Sequence, residues 1–183
     1  YTYNSTFTRL NSITRNGFSY NFVYDSFGNT LQTKVGNTAL ITNVFAANNG
    51  PLLSSTYGNG DVISYVYDTP GRLIGIKQNN VNAYNWTYSG SGIAKTYTDN
   101  ISGRKYQYAY DSLGRPISQT GKNITGGGNR TSSVYSYDIS NNLTKISNTA
   151  GTQNITATFS YDNVNRPTKS FFNNSSYHTY TYD

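Results

Sequence analysis

Few residues of this 183-residue chain could carry proton chemistry: eight aspartates, no glutamate and one histidine, His178. A general acid–base pair needs two carboxylates held together with their pKa values driven apart. Six of the eight, Asp25, Asp68, Asp111, Asp138, Asp162 and Asp183, instead fall at one register of a recurring pattern. That leaves Asp61 and Asp99, and Asp61 ends the turn-like string Gly58-Asn59-Gly60-Asp61. His178 sits in a Tyr/Thr run that reads as strand. A zinc site wants three or four ligands at defined spacing, and no Gly-x-Ser-x-Gly elbow marks an activated serine. The expectation is no catalytic residue, no metal site, no cofactor and no enzyme.

Cations and aromatics allow binding chemistry instead. Arg72, Arg115 and Arg166 share one register. They form either a ladder for a polyanion or a set of guanidiniums stacked on aromatics and paired with a nearby Asp. Asn29, Gly50, Ile93 and Asn142 break that ladder, which favours the structural role. The net charge of +6 is scattered along the chain, unlike the basic stripe of a nucleic-acid binder. Tyrosines at the repeat register read as structural, while Tyr57, Tyr84, Tyr97 and Tyr177 lie off it and are the better candidates for stacking on a glycan. Asn85, Asn123, Asn129 and Asn154 open Asn-x-Ser/Thr strings that modification enzymes can use.

The pattern behind these registers is clearest at Tyr108-Ala109-Tyr110-Asp111-Ser112-Leu113-Gly114-Arg115-Pro116-Ile117. Tyr65–Leu73 and Phe22–Leu31 repeat it. Aromatics at i and i+2 share one face of a strand. The Asp then caps a turn by accepting backbone N–H bonds. Three residues later Gly supplies left-handed backbone, and a bulged hairpin follows. At Asp138 and Asp162 the Gly position holds Asn141 and Asn165, and Asn is the side chain best suited to that conformation. Weaker copies stand at Val44–Leu52, with Ala46 in the Asp register and Asn49 in the Gly register, and at Trp86–Ile93, with Ser89 and Gly92. A degenerate copy opens the chain at Tyr1-Thr2-Tyr3-Asn4, with Phe7 in the Gly register. The registers 4, 25, 46, 68, 89, 111, 138, 162 and 183 lie 21 to 27 residues apart. Such a period means a repeat architecture. The longest gap contains a Gly/Asn-rich string, 119–130, expected to be a flexible inserted loop.

Aliphatic residues are sparse, so burial must come from aromatic faces. The fold expected is all-β: tandem antiparallel hairpins of about 21 residues forming a curved, spiralling sheet, since strands twist and long open sheets coil. Residues 1–183 read as one continuous array without an internal boundary. An array that opens and stops inside copies of its own motif is expected to be part of a longer repeat protein. No apolar run approaches the roughly 18–20 residues that span a membrane, and Cys is absent, so no disulfide framework is present. The composition suits an extracellular bacterial protein.

Tyr-x-Tyr-Asp-x-x-Gly-Arg at about 21-residue spacing resembles the YD-repeat (Rhs-repeat) family, as does Tyr57-Gly58-Asn59-Gly60-Asp61 leading into Tyr65–Leu73. The family includes bacterial Rhs and wall-associated polymorphic toxins, toxin-complex cocoon proteins and teneurins. The resemblance implies a β-shell enclosing a toxin or cargo domain, made by a secreted or cell-surface protein. Neither a self-cleaving protease segment nor a toxin domain is readable, so it implies a scaffold role. Partners are then the rest of the repeat protein and an enclosed cargo. A surface adhesin for glycans or cell-surface proteins is a second reading. A filament self-associating through sheet edges is a third.

Overall fold

The structure, a computed structural model, describes residues 1–3, 9–126, 128–173 and 176–183. The degenerate first turn, with Asn4 and Phe7, lies outside the described residues. Seventeen strands and no helix are present among those described. The chain divides into two compact units, Tyr1–Tyr84 and Asn85–Asp183.

The first unit contains β1 (Thr2–Tyr3), β2 (Leu10–Arg15), β3 (Phe18–Tyr24), β4 (Thr30–Val35), β5 (Thr38–Phe45), β6 (Leu52–Tyr57), β7 (Val62–Tyr67) and β8 (Leu73–Gln78). Each pairs antiparallel with the next. β9 (Val81–Tyr88) contains the last residue of this unit and the first of the next. The second unit continues with β10 (Ala94–Asp99), β11 (Arg104–Tyr110), β12 (Pro116–Asn123), β13 (Asn129–Tyr137), β14 (Leu143–Ala150), β15 (Gln153–Tyr161), β16 (Pro167–Phe172) and β17 (Ser176–Thr179), again paired in chain order. Hairpin repeats in an all-antiparallel β architecture are what the motif spacing predicts.

The Asp turns form as expected. The backbone N–H of Asp68 donates to the Arg72 carbonyl at 3.0 Å and that of Gly71 to the Asp68 carbonyl at 2.9 Å. The same pair of bonds recurs at Asp25, Ser89, Asp111, Asp138 and Asp162. Gly28, Gly71, Gly92 and Gly114 have φ between 79° and 100°, while Asn141 and Asn165 take 69° and 65°. The strand register shifts before the last aromatic of each motif, for example between Val66 and Tyr67 and between Ser136 and Tyr137. That is the bulge the turn type requires. The Ala46 copy differs: it is one residue longer, closing from Ala46 N–H to the Pro51 carbonyl at 2.9 Å. Both Asn48 and Asn49 are left-handed there, at 57° and 59°. With no carboxylate at Ala46 to gather the N–H groups, two Asn residues make the reversal.

A second set of turns lies at the other strand ends. Asn16-Gly17 and Asn79-Asn80 have both residues at positive φ, the two-residue hairpin whose twist matches its strands. Each repeat is therefore two strands, one Asp turn and one far-end turn. The expected inserted loop is mostly strand: β12 and β13 take up 119–123 and 129–130. β12 to β15 run eight or nine residues, against six for β4, β6, β8 and β10. The 27- and 24-residue gaps therefore reflect longer hairpins as much as a longer turn.

The sheet faces alternate in chemistry. In the second unit Tyr97, Tyr106, Tyr135, Ile146 and Ala157 lie on one face by register, and Thr98, Lys105, Thr120, Ser132 and Thr149 on the other. Among the described residues the only apolar side chains below one-tenth exposure are Ala83 and Ala157, and no large side chain is fully buried. Cohesion must therefore come from within the sheet, from ladder bonds and from contacts between neighbouring turns.

Gly71 has open space around its Cβ direction but φ of +87°. Gly71→Val should cost roughly 1–2 kcal/mol through backbone conformation alone, and Gly71→Asn appreciably less. Denaturant midpoints for the two variants check this, and equal midpoints would remove the left-handed requirement.

Candidate functional site

Each Asp turn is organised around a single carboxylate. Asp25 Oδ1 accepts the backbone N–H groups of Phe27, Gly28 and Asn29 at 2.8 to 2.9 Å, and Oδ2 accepts the Asn29 side-chain amide at 2.9 Å. Asp111 Oδ1 accepts from Leu113 and Arg115 N–H, while Oδ2 takes Arg115 Nε at 2.6 Å. Asp68 and Asp162 bind Arg72 and Arg166 Nε at 2.7 Å, and Asp138 binds the Asn142 amide at 3.0 Å. Where Ser89 replaces Asp, its hydroxyl takes over one of these bonds, accepting Ile93 N–H at 3.2 Å.

These bonds favour the ionised acid. The side-chain amides of Asn29 and Asn142 lead in holding Asp25 and Asp138 below the ordinary aspartate value, as does the Arg166 N–H for Asp162. At Asp68 and Asp111 partial burial pushes upward most strongly. The hydrogen bonds and charge of Arg72 and Arg115, joined by neighbouring backbone N–H groups, together outweigh it, and the net shift is again downward.

Successive repeats are tied by the residues flanking each turn. At five of the turns the Tyr before the Asp donates its phenol to the first return-strand carbonyl of the preceding repeat. Tyr24 reaches Leu10 at 2.8 Å, Tyr67 reaches Leu52 at 2.9 Å and Tyr137 reaches Pro116 at 2.9 Å. Tyr161 reaches Leu143 at 2.9 Å, and Tyr182 reaches Pro167 at 2.7 Å. The preceding Arg lies over the same ring: Arg115 is 4.6 Å from the Tyr137 centroid and Arg166 4.4 Å from that of Tyr182. The Arg register is thus both stacked and ion-paired, as its structural reading predicts. At Tyr137 and Tyr182 the repeats are thus joined by a phenol–carbonyl bond with a guanidinium above the ring.

A third link escaped the sequence reading. The residue after the left-handed position reaches the left-handed Asn of the next turn. Asn29 donates to Asn49 Oδ1 at 3.0 Å, Arg115 to Asn141 Oδ1 at 2.7 Å and Asn142 to Asn165 Oδ1 at 2.8 Å. Asn at this position is therefore more than a tolerated glycine, because it adds an acceptor facing the neighbouring turn. Arg9 was missed as well. It donates to the Asp25 and Phe27 carbonyls and lies 5.8 Å from the Tyr24 ring. Its place directly before Leu10, as Arg72 precedes Leu73, was the available signal.

The remaining candidates are placed as follows. Asp61 accepts from the Asn59 and Asn79 amides at 2.7 and 2.8 Å, and Asp99 from Ile101 N–H and from the Ser102 N–H and hydroxyl. Both cap far-end turns rather than forming an acid–base pair. His178 is a β17 residue opposite Ser170. Tyr97 lies between Trp86 and Tyr106, with ring centroids 5.4 and 6.0 Å away, and Tyr177 packs 5.7 Å from Phe171. Tyr57 is 40% exposed beside a far-end turn whose first N–H is its own.

Two measurements test this ladder. In Tyr137→Phe the ring under Arg115 remains and only the phenol is lost, so stability should fall by about 0.5–1.5 kcal/mol. An unchanged denaturation midpoint would discard the phenol–carbonyl rung. For the carboxylates, the folded pKa lies below the unfolded one, so the unfolded chain binds more protons as pH falls. Their stabilisation is then fully present above the unfolded value of about 3.9. It is lost as pH drops from there through the folded values. The midpoint should be level above about pH 5 and decline below about pH 4. A level profile down to pH 2 would contradict the assignment.

No protein-family model and no curated protein sequence matches the chain. Solved structures do. A crystal structure of TcdB2-TccC3-Cdc42 is 23% identical with a TM-score of 0.68, covering 88% of this chain and 10% of that one. TcdB2-TccC3 without its hypervariable C-terminal region is 23% identical with a TM-score of 0.68, covering 91% and 10%. The Photorhabdus luminescens Tc holotoxin pore is 19% identical with a TM-score of 0.60, covering 88% and 9%. This chain spans about a tenth of those chains. The shared fold and the recurrent Tyr-Asp turn fit a YD-repeat (Rhs-repeat) protein.

Proposed function

We propose that this chain is a non-catalytic wall segment of a secreted bacterial YD-repeat protein, part of a curved β-sheet shell that encloses a toxin or other cargo domain. The observation that carries this reading is the turn-to-turn ladder. Carboxylates, arginines and phenols that could serve chemistry are engaged in joining one hairpin to the next. In such a device each repeat is stabilised by its neighbours, as in a solenoid, and an array extends by addition of like units. The segment reads as a continuous array through both units, with the rest of the repeat protein as its first partner. The likeness to TcdB2-TccC3 structures supports a shell over other repeat architectures.

Electron microscopy of the intact parent protein, with mass analysis of what copurifies, tests the proposal. A hollow particle with density inside is the expected result. An open strip that binds glycans or cell-surface proteins, or a regular fibre joined through sheet edges, would overturn it.

A further inference from the structure

The turn-to-turn ladder has an open rung at Tyr110. Five tyrosines that precede an Asp turn donate their phenols to the residue beginning the neighbouring return strand: Leu10, Leu52, Pro116, Leu143 or Pro167. Tyr110 ends β11 at the same register, and the neighbouring strand β10 begins at Ala94. Among the described residues the Tyr110 phenol makes no hydrogen bond, and no guanidinium lies over its ring. The Arg register of the preceding repeat holds Ile93 instead. Ile93 is directed at the next turn, with its Cδ1 3.5 Å from where a Cβ on Gly114 would stand. Among the described residues every buried side-chain polar atom has a partner, so the Tyr110 hydroxyl is open to solvent.

A cleft of about 360 Å³ lies at this rung, lined by Trp86, Ala94, Tyr97, Tyr108 and Tyr110. Small-molecule sites have volumes of about 300–1,000 Å³. The four rings share one face of the second unit. Trp86 and Tyr97 lie 5.4 Å apart, and Tyr97 stands opposite Tyr106. Tyr108 and Tyr110 follow Tyr106 at two-residue steps along β11. Ala94 makes the space, because it is smaller than the Leu or Pro that occupies its register in the five closed rungs. Among the described residues no charged side chain lines the cleft, and Lys95, next to Ala94, is exposed. The run of rings continues from Tyr97 to Tyr106, with centroids 6.0 Å apart and 14° between the ring planes.

We infer that this cleft binds a neutral glycan, with a pyranose ring laid on Trp86 and Tyr97 and a sugar hydroxyl bonded to the Tyr110 phenol. The C–H groups on the face of a pyranose carry partial positive charge and suit the negative face of an aromatic ring. An uncharged lining would strip water from a charged ligand without compensating it. The open phenol both donates and accepts, which a hydroxyl-bearing ligand can use and a hydrocarbon cannot. The run from Trp86 through Tyr97 to Tyr106 suits successive rings of an extended chain. The site stands whether or not the array closes into a shell, so microscopy of the parent protein and titration of this chain fail independently.

Trp86 is the only tryptophan of the chain, so its fluorescence reports on the cleft directly. Titration of the full chain with cellopentaose, an extended neutral glucan, should give a saturable change. Ala94→Leu puts at the open rung the residue type of Leu10, Leu52 and Leu143. It should fill the cleft and weaken binding about tenfold or more, with the denaturation midpoint held or raised. Tyr110→Phe should weaken binding about threefold to tenfold, the worth of one hydrogen bond. Its midpoint should stay unchanged, unlike that of Tyr137→Phe. Absence of a saturable change with cellopentaose overturns the site, as does wild-type affinity in either variant. A midpoint that falls in Tyr110→Phe would mean a closed rung and overturns it as well. Equal affinity for cyclohexanol, a saturated ring with one hydroxyl, overturns the glycan assignment, and equal affinity for glucose overturns the extended chain.

Discussion

The structure depends on one interaction repeated along the chain: a carboxylate that accepts backbone N–H groups while its second oxygen holds the side chain four residues on. Without it, the turn leaves N–H groups pointing at one another with no acceptor between them. At Asp25 three successive donors converge on a single oxygen, an arrangement a neutral amide would serve poorly because its oxygen carries less charge. The left-handed residue follows from the same geometry, since it rotates the chain so that the fourth N–H also meets the carboxylate. Once the turn is set, the bulge places the preceding tyrosine, and that tyrosine reaches the repeat before it. One carboxylate thus fixes a local reversal, a strand register and a contact between repeats.

The links between repeats explain how a sheet with little deep burial coheres. A domain ordinarily packs two layers around an apolar core. Here nearly all the described side chains are half-buried or exposed, and polar contacts are correspondingly numerous along the Asp edge. Each is short-range in space and joins adjacent repeats only. Stability in such a chain is a sum over neighbours, so a poor turn can be carried by good ones beside it. The Ala46 turn illustrates this: it lacks the carboxylate and is one residue longer, yet its Asn49 accepts from Asn29 of the turn before it.

Much of this was legible in sequence because the repeat is punctuated by residues with narrow conformational roles. Tyr-x-Tyr-Asp-x-x-Gly specifies strand, cap and left-handed residue in one string, and its recurrence predicted the hairpins and their bulges. What escaped reading lay in contacts between repeats. That Asn141 and Asn165 are acceptors for Arg115 and Asn142 depends on two turns lying side by side, and local spacing carries no such information. Arg9 was hidden for the same reason. The string at 119–130 misled because Gly and Asn signal loops locally, whereas pairing with neighbouring strands drew most of it into the ladder. Tertiary pairing overrides a weak local preference.

The two ends of the strands are under unequal constraint, and that inequality bears on where specific function can arise. At the Asp edge the Tyr, Asp and Arg or Asn positions each serve two partners, one within the repeat and one in the next. A change in length there breaks both. The far-end turns hold fewer such obligations, and they vary from the two residues of Asn79-Asn80 to the longer connection between β12 and β13. Strand extension at that end leaves the Asp turns in register, which is how gaps of 27 and 24 residues coexist with gaps of 21. The Asp edge therefore fixes the register of the array, while the far end, held by links such as the Asn79 amide on Asp61, takes up the differences in strand length.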